Sequence, residues 1–296
     1  MSGDKPPRLE LVERVDLPVV EASDLTVRNV AGRTEVLVVG DRTAHVASGE
    51  YEPGRGFTDW EVVDLSSLPG WPLPPHDSQL EAIAVDGGSL VAIMREDPPF
   101  VLVADTTTGT VVANIRLLAP ADSPLAGSWD DPSSRGEGLV LLRDGRLLVA
   151  KEKRPRALIE FAPVGSDGRG LSREILLGPD ESWDAPTGAV DYAAVAMWKL
   201  RGAAKQALDD ISSMTIGPNR DLWLLSDKSR SLARVSLDVP LAPTTGEIRE
   251  LAEIWRLPKG TEKPEGVAAI DDDTILVALD TVSMLQNGVI ARRPSN

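Results

Sequence analysis

Short apolar runs, separated by polar and turn-forming residues, cover most of this chain. Typical runs are TEVLVVG, SLVAIM, FVLVAD, RLLVAK, LWLLSD and TILVALD. They are rich in Val, Ile and Leu, and Gly, Pro, Asp and Asn stand between them, which is typical of short β-strands joined by tight turns. The pattern predicts an all-β protein, with a sandwich, a barrel and a propeller as the candidate folds.

An internal repeat distinguishes among these folds. Five segments share the order acid, strand, turn, strand, acid: SDLTVRNVAGRTEVLVVGD, LEAIAVDGGSLVAIMRED, GEGLVLLRDGRLLVAKE, DISSMTIGPNRDLWLLSD and PEGVAAIDDDTILVALD. Their leading acids are 57, 56, 73 and 55 positions apart, and the two chain ends together supply one further repeat length. Such a circular array predicts a five-bladed β-propeller, whose last blade is completed by pairing an N-terminal strand with a C-terminal one.

The longest of these intervals contains a stretch of different character. Residues 188–208, GAVDYAAVAMWKLRGAAKQAL, are rich in alanine and alternate only weakly, so a helix is predicted there. We therefore expect a short helical insertion between blades 3 and 4, at about 181–208. No linker separates the repeats, and residues 1–296 are expected to form a single propeller domain.

Every repeat carries an acid at both ends of its inner hairpin. Since a hairpin begins and ends at one edge of a sheet, we expect two rings of carboxylates at one mouth of the channel. Crowded carboxylates favour a hard cation with oxygen ligands, Ca²⁺ or another divalent ion. The predicted metal ligands are Asp24, Glu81, Glu137, Asp210 and Glu265. The alternative for each acid is a cap on nearby backbone N–H groups or a pairing with a neighbouring base.

Basic and aromatic residues accompany the acids. Arg95, Lys151 and Lys228 are predicted to hold a small anionic ligand such as a phosphate ester, whose oxygens the metal would bridge. Surface ion pairs are the alternative for these bases. The loop tryptophans could supply aromatic walls for an organic ligand or cover the outer blades. They are Trp71, Trp129 and Trp183.

Composition narrows the chemistry further. The chain has no cysteine and two histidines, so disulfides and thiolate metal sites are excluded. It also lacks the G-x-S-x-G elbow of serine hydrolases. For an enzyme, the sequence favours hydrolysis by a metal-bound water that a carboxylate such as Glu152 activates, with His76 as a further candidate base. A non-catalytic propeller that binds a small ligand or a protein, with a structural cation, is the alternative function.

Charge and hydropathy set the outer limits. The formal net charge is −15, whereas nucleic-acid binding requires a basic surface, so no nucleic-acid partner is expected. The chain has no run of eighteen apolar residues and no hydrophobic signal core near its start. We therefore expect no membrane span, no export signal and a cytoplasmic location, and a protein partner stays open.

Three stretches resemble a known family. DDISSMTIGPNRDLWLLSDKSRSLARVSLD, GEGLVLLRDGRLLVAKEKRPRALIEF and KPEGVAAIDDDTILVALD are similar to blades of the SdiA-regulated β-propeller family of bacterial proteins, which is distantly similar to phytase-like and esterase-like propellers. The resemblance covers the last three repeats well and the first two loosely. At 210–213 this chain has Asp-Ile-Ser-Ser where the family has Asp-Leu-Ser-Gly. The resemblance implies a propeller with calcium on its axis and a phosphoesterase role.

Overall fold

The computed structural model describes residues 5–30, 32–72, 78–129, 131, 134–244 and 246–294. Within these ranges the chain forms twenty-one β-strands and one short α-helix. Twenty of the strands fall into five sets of four. None of the helices in the described ranges could cross a bilayer, because none combines the necessary length with an apolar sequence.

The five sets follow one another along the chain. Set 1 contains β2 (Ala22–Val30), β3 (Arg33–Gly40), β4 (His45–Glu52) and β5 (Gly56–Asp64). Set 2 contains β6 (Leu80–Val85), β7 (Leu90–Arg95), β8 (Phe100–Asp105) and β9 (Thr110–Leu118). Set 3 contains β10 (Gly136–Leu142), β11 (Arg146–Lys151), β12 (Ala157–Pro163) and β13 (Gly188–Leu200). Set 4 contains β14 (Ser213–Ile216), β15 (Leu222–Ser226), β16 (Ser231–Val235) and β18 (Glu253–Arg256). Set 5 contains β19 (Pro264–Ala269), β20 (Thr274–Leu279), β21 (Gly288–Arg292) and β1 (Glu10–Val15).

Within each set, neighbouring strands are antiparallel. Sets 1, 4 and 5 are separate four-stranded sheets. Sets 2 and 3 form one nine-stranded sheet, because β9 pairs in parallel with β13 and the short strand β17 (Gly246–Ile248) is added beside β13. The first strands of the sets contact one another in the order β2, β6, β10, β14, β19 and back to β2. These five inner strands therefore enclose a central channel.

The predicted closure by the two ends of the chain is present. Strand β1 pairs antiparallel with β21, from Glu10 opposite Arg292 to Val15 opposite Gly288. Beside this pair, the buried side chain of Asn287 accepts a hydrogen bond from Leu17 N at 2.7 Å and donates to the carbonyl oxygens of Leu17 and Val19. The N-terminal strand is thus the fourth strand of the last set.

Buried apolar side chains lie on both faces of many strands. They form five clusters among the described residues, one between each two neighbouring sets. In β3, for example, Val36 and Val38 face set 5, whereas Leu37 and Val39 face set 2. Full burial of such a side chain stabilises the fold by about 1.5–3 kcal/mol. Strands between two clusters are therefore apolar on both faces.

The predicted helix at 188–208 is wrong for most of its length. Residues Gly188–Leu200 form β13, and only Gly202–Ala207 are helical. Strand β13 pairs with β12 on one side and β9 on the other, and its alternate residues Tyr192, Ala194, Ala196 and Trp198 are buried. This pairing and packing outweigh the intrinsic helix propensity of alanine. No long helix therefore stands between sets 3 and 4.

The interval of 73 positions between the leading acids of repeats 3 and 4 is longer than the others. Its additional residues lie at 164–187, between β12 and β13. Backbone hydrogen bonds join this segment to the lower ends of two inner hairpins: Leu177 N donates to Leu141 O, and Gly87 N donates to Glu181 O. Gly178 and Pro179 line a cavity of about 50 Å³ together with residues of four inner strands. The segment consequently lies across the lower end of the channel.

Candidate functional site

A cavity of about 300 Å³ opens at the upper end of the channel, where the first strand of each set begins and the second ends. Side chains from all five sets line it. Nine of the ten acids of the two predicted rings are among them: Asp41, Glu81, Glu96, Glu137, Glu152, Asp210, Asp227, Glu265 and Asp280. The repeated acids of the sequence therefore meet in one cavity, which we call the acidic mouth.

In four of the five sets, a β-bulge at the start of the inner strand directs one side chain into the mouth. The register slips by one residue around Ser23, Glu81, Glu137 and Glu265, each of which is left without a partner residue across the hairpin. Bulges are known to re-aim side chains in this way. In set 4, Ser212 occupies the corresponding position before β14 and also lines the mouth. The leading ring thus consists of three glutamates and two serines.

The closing ring is more uniform. One acid directly follows the second strand of each set and lines the mouth in all five cases. These acids are Asp41, Glu96, Glu152, Asp227 and Asp280. Three further polar lining residues, Glu21, Ser23 and Ser212, were not predicted from the sequence. The two serines were missed because only acids were sought, although their alignment with Glu81 could have identified them.

Asp24 does not line the mouth, contrary to its predicted place among the metal ligands. It lies one residue after the bulge, so its side chain takes the other face, and it is 0% exposed. Its carboxyl group accepts hydrogen bonds from Ile83 N at 2.9 Å and Ser213 Oγ at 2.7 Å. Burial raises the pKa of Asp24 well above its ordinary value. Asp24 thus joins set 1 to sets 2 and 4 across the channel.

Asp210 lies in the mouth but is engaged in local contacts. Its carboxylate accepts hydrogen bonds from Ser226 Oγ and from Lys228 N, the latter at 3.3 Å. Lys228 Nζ is 3.4 Å from Asp210 Oδ2 and 3.4 Å from Glu152 Oε1. These contacts fit the alternative in which the acid caps the turn of its own set.

Of the three predicted anion-binding bases, the mouth contains one. Lys228 lines it, whereas Arg95 and Lys151 each precede a closing acid by one residue and are buried on the opposite face of the strand. Lys151 Nζ donates hydrogen bonds to Ser134 O and, at 2.8 Å, to Ser134 Oγ. Burial lowers the pKa of Lys151 to about 8. Arg95 and Lys151 are therefore placed outside the mouth.

The tryptophans predicted as ligand walls lie elsewhere. Trp129 and Trp183 are buried in the cluster between sets 2 and 3, and Trp183 Nε1 donates to Leu142 O at 3.0 Å. Trp71 is half-buried against the cluster between sets 1 and 2. All three cover the strands, as in the alternative interpretation. The candidate base His76 lies outside the described residues.

The mouth strongly disfavours negative charge. Burial, followed by the charges of neighbouring acids, raises the pKa of Glu81 to about 8 and the pKa of Glu265 to about 8. The same causes raise the pKa of Glu137 well above its ordinary value. Burial and the nearby Glu21 raise the pKa of Asp41 to about 6. Near pH 7 the protonated forms of Glu81 and Glu265 are therefore favoured.

The donor chemistry fits a hard divalent cation, although the donors are widely spaced. Among the described residues, no group of three or more acids or histidines lies close enough together to hold a metal ion. Two buried oxygens in the mouth, Ser23 Oγ and Asp41 Oδ1, have no hydrogen-bond partner in the described part of the chain. Carboxylate and hydroxyl oxygens are the ligands that calcium accepts. A cation here would need carboxylates to move inward or water to complete its shell.

Comparison with known proteins gives one decisive match. The model of the SdiA-regulated family matches residues 75–280, well over half of the chain. No curated protein matches the chain. Aldose sugar dehydrogenase from Streptomyces coelicolor, solved in its PQQ-bound form, is 13% identical, with a TM-score of 0.48 over 97% of this chain and 98% of that one.

Two further solved structures give similar values. The β-propeller domain of Swd1 from Myceliophteria thermophila is 9% identical, with a TM-score of 0.45 over 97% of this chain and 100% of that one. A catalytically inactive virginiamycin B lyase from Staphylococcus aureus is 10% identical, with a TM-score of 0.40 over 98% of this chain and 76% of that one.

Proposed function

Because the chain belongs to the SdiA-regulated family of β-propellers, we propose that its five strand sets are five blades and that the acidic mouth is their ligand site. The observation that carries this proposal is the convergence of nine repeat acids from all five sets in one cavity. Ligand sites commonly lie in concave pockets at the mouth of a closed β-structure. The segment across the lower end leaves the upper mouth as the entrance.

The cation proposed for this mouth is Ca²⁺. The bulge glutamates Glu81, Glu137 and Glu265 are its proposed ligands, with the hydroxyl of Ser23 and the carboxylate of Asp41 beside them. Bound calcium would neutralise these carboxylates and offer open positions to oxygen atoms of a ligand. Asp24 is omitted from the proposed set because its carboxyl group is committed to hydrogen bonds across the channel.

An anionic small molecule is the proposed ligand of the loaded mouth. Lys153 and Lys228 stand on its wall, each paired with Glu152, and can turn toward a phosphate or carboxylate group. In a hydrolase acting on phosphate esters or other esters, Glu152 would be the base that accepts a proton from water. A non-catalytic propeller with a structural cation is the second candidate, since the buried tryptophans and Lys151 leave few groups in the mouth for chemistry.

Calorimetric titration of the chelator-treated protein with Ca²⁺ tests the proposal. The wild type should bind with micromolar to millimolar affinity, and Glu137→Gln and Glu265→Gln should each weaken binding about tenfold or more. Glu13→Gln, on the exposed outer strand β1, is the matched control and should bind as the wild type does. A wild type that shows no heat of binding at millimolar Ca²⁺ would refute the cation site.

A second experiment separates the two candidate functions. Hydrolysis of a phosphate monoester and a carboxylic ester is followed with Ca²⁺ and with excess chelator. Activity that appears only with Ca²⁺ and is lost in Glu152→Gln supports the hydrolase. Calcium binding without hydrolysis of either ester supports the binding protein.

A further inference from the structure

A second cavity lies between sets 1 and 2, toward their outer strands. It measures about 350 Å³, within the range of about 300–1,000 Å³ that small-molecule sites usually have. Strands β3, β4 and β5 form one wall, and β7 and β8 form the other. Among the described residues, none lines both this cavity and the acidic mouth. We call it the side cavity, and it is separate from the proposed calcium site.

The junction of sets 1 and 2 is packed differently from the next two junctions. Trp129 and Trp183 fill the junction of sets 2 and 3, where β9 also pairs with β13. Trp198 is buried at the junction of sets 3 and 4. In the described part of the chain, no strand of set 1 pairs with one of set 2, and the cluster between them has no fully buried aromatic ring. The outer strands consequently leave space there.

Apolar side chains form much of the wall of the side cavity. Leu37, Val46 and Val91 belong to the buried cluster between the two sets. Leu65 and Leu68, in the segment after β5, add two further apolar surfaces. Removing the apolar part of a ligand from water against such a wall favours binding. The side cavity therefore suits a molecule with an alkyl or aryl part.

Two polar groups on the wall can bind a ligand. Ser48 on β4 lies opposite Glu61 on β5, so their side chains share one face of the sheet. Within the described ranges, the hydroxyl group of Ser48 and the carboxylate of Glu61 have no hydrogen-bond or ion-pair partner. Glu61 is exposed, so a ligand can reach it from solvent. A carboxylate and a hydroxyl can both accept hydrogen bonds from one ammonium group.

Charge decides which kind of ligand fits the side cavity. Its charged lining consists of one base and three acids, Arg28, Glu35, Glu61 and Asp105. The guanidinium group of Arg28 is committed, since it pairs with Glu35 and donates to Gly88 O at 3.0 Å. Asp105 accepts a hydrogen bond from the backbone of its own turn at 2.8 Å. The charge of Glu61 is thus left uncompensated, and a cation is favoured there over an anion.

We propose that the side cavity binds a small organic cation, a primary amine whose ammonium group contacts Glu61 and Ser48. Its alkyl or aryl part lies against Leu37, Val46 and Val91. The ammonium group supplies the positive charge that Glu61 lacks, and the apolar part occupies the space between the two sets. This ligand class differs from the anion proposed for the mouth, and its binding needs no calcium.

Calorimetric titration in excess chelator with hexylammonium, hexan-1-ol and hexanoate tests the proposal, because the three compounds share one alkyl chain. Hexylammonium should bind about five- to tenfold more tightly than hexan-1-ol, since a hydrogen bond to a charged group adds about that much. Hexanoate should bind more weakly than either. Glu61→Gln should remove the preference for hexylammonium and leave the affinity for hexan-1-ol unchanged. Asp59→Asn, which removes the same charge from an exposed position on β5, is the matched control and should keep the preference.

A second pair of variants tests the apolar wall. Val63 lines the side cavity, whereas its neighbour Val62 does not, and both are exposed on β5. Val63→Ser should weaken the binding of hexylammonium and hexan-1-ol equally, by about two- to fourfold. Val62→Ser is the control and should weaken neither.

Equal affinities of the wild type for the three compounds, or no heat of binding for hexylammonium at millimolar concentration, would overturn the inference. An affinity for hexylammonium that falls in Glu152→Gln but not in Glu61→Gln would also overturn it, because the ammonium group would then lie in the acidic mouth. Since these titrations contain no calcium, their failure leaves the proposed function standing, and a failure to bind calcium leaves this inference standing.

Discussion

At the scale of single residues, position relative to the bulge decides the role of each acid. Glu81, Glu137 and Glu265 occupy the bulge and enter the mouth, whereas Asp24 lies one position later and bonds across the channel. Gly266 stands at the position equivalent to Asp24 in set 5, and a Cβ atom there would come within 2.8 Å of Asp24 Cα. A side chain at position 266 would therefore collide with the backbone of set 1.

Glu81→Gln should remove a pH-dependent loss of stability. The unfolded chain releases the Glu81 proton near pH 4.5, but the folded protein holds it until the pKa of about 8. The free energy of unfolding is therefore not lowered by Glu81 below about pH 4.5. It decreases as the pH rises from there to about 8, because the unfolded chain loses the proton first. Glutamine cannot ionise, so the calcium-free variant should match the wild type at pH 4.5 and exceed it by a few kcal/mol at pH 8.5, at about 1.4 kcal/mol per pKa unit.

Urea denaturation in chelator at the two pH values measures this difference. Glu13→Gln is the control and should follow the wild type at both values. The same difference in unfolding free energy between Glu81→Gln and the wild type at both pH values would contradict the raised pKa of Glu81.

Asp24→Ala should destabilise the fold without affecting calcium. The substitution leaves Ile83 N and Ser213 Oγ without their buried acceptor, which costs about 2–4 kcal/mol. Asp24→Asn keeps an acceptor oxygen and should lose less. Thermal denaturation gives the stability, and calorimetry of the more stable variant should give an unchanged Kd for Ca²⁺. A larger Kd for Ca²⁺ would indicate that Asp24 is a calcium ligand, as the sequence predicted.

At the scale of elements, strand pairing accounts for the departures from sequence expectation. Residues 188–200 form a strand because both edges are paired, with β12 on one side and β9 on the other. Trp129 and Trp183 lie in the cluster that this joined sheet creates. Elements at the junction of two sets therefore depend on partners that are distant in the chain.

Asn287→Ala should weaken the closure of the ring. Its side chain makes three buried hydrogen bonds to the segment after β1, so the substitution should cost about 2–4 kcal/mol of unfolding free energy. The control Asn219→Ala breaks an exposed bond to Asp272 and should change stability by about 0.5 kcal/mol or less. Equal denaturation midpoints for the two variants would show that the closure contributes little.

At the scale of the whole molecule, the fold brings acidic residues from all five repeats of the sequence into one cavity. The five inner strands converge on one axis, and the acids at their upper ends share a single cavity. Like charges at this distance are relieved by protonation or by a cation. For the proposed calcium site, this predicts an affinity that depends on pH.

Calcium should raise the melting temperature more at pH 8 than at pH 6. At pH 6 the leading glutamates Glu81 and Glu265 hold protons that calcium must displace, whereas near pH 8 about half of these protons are already lost. Binding below pH 8 should therefore release protons and tighten as the pH rises. Calorimetry in two buffers with different ionisation enthalpies counts the released protons. An affinity for Ca²⁺ that is the same at both pH values would contradict this coupling.

The sequence by itself determined the repeat, the strand pairing of the chain ends and the convergence of the repeated acids. These follow from local properties, because apolar alternation sets the faces of a strand and hairpin geometry places both of its ends at one edge. The tertiary structure alone decided that Asp24 bonds across the channel, that 188–200 is a strand, and that the tryptophans lie away from the mouth. Each of these outcomes depends on a one-residue bulge or on a partner from another set, and neither leaves a signal in the local pattern of apolar and polar residues.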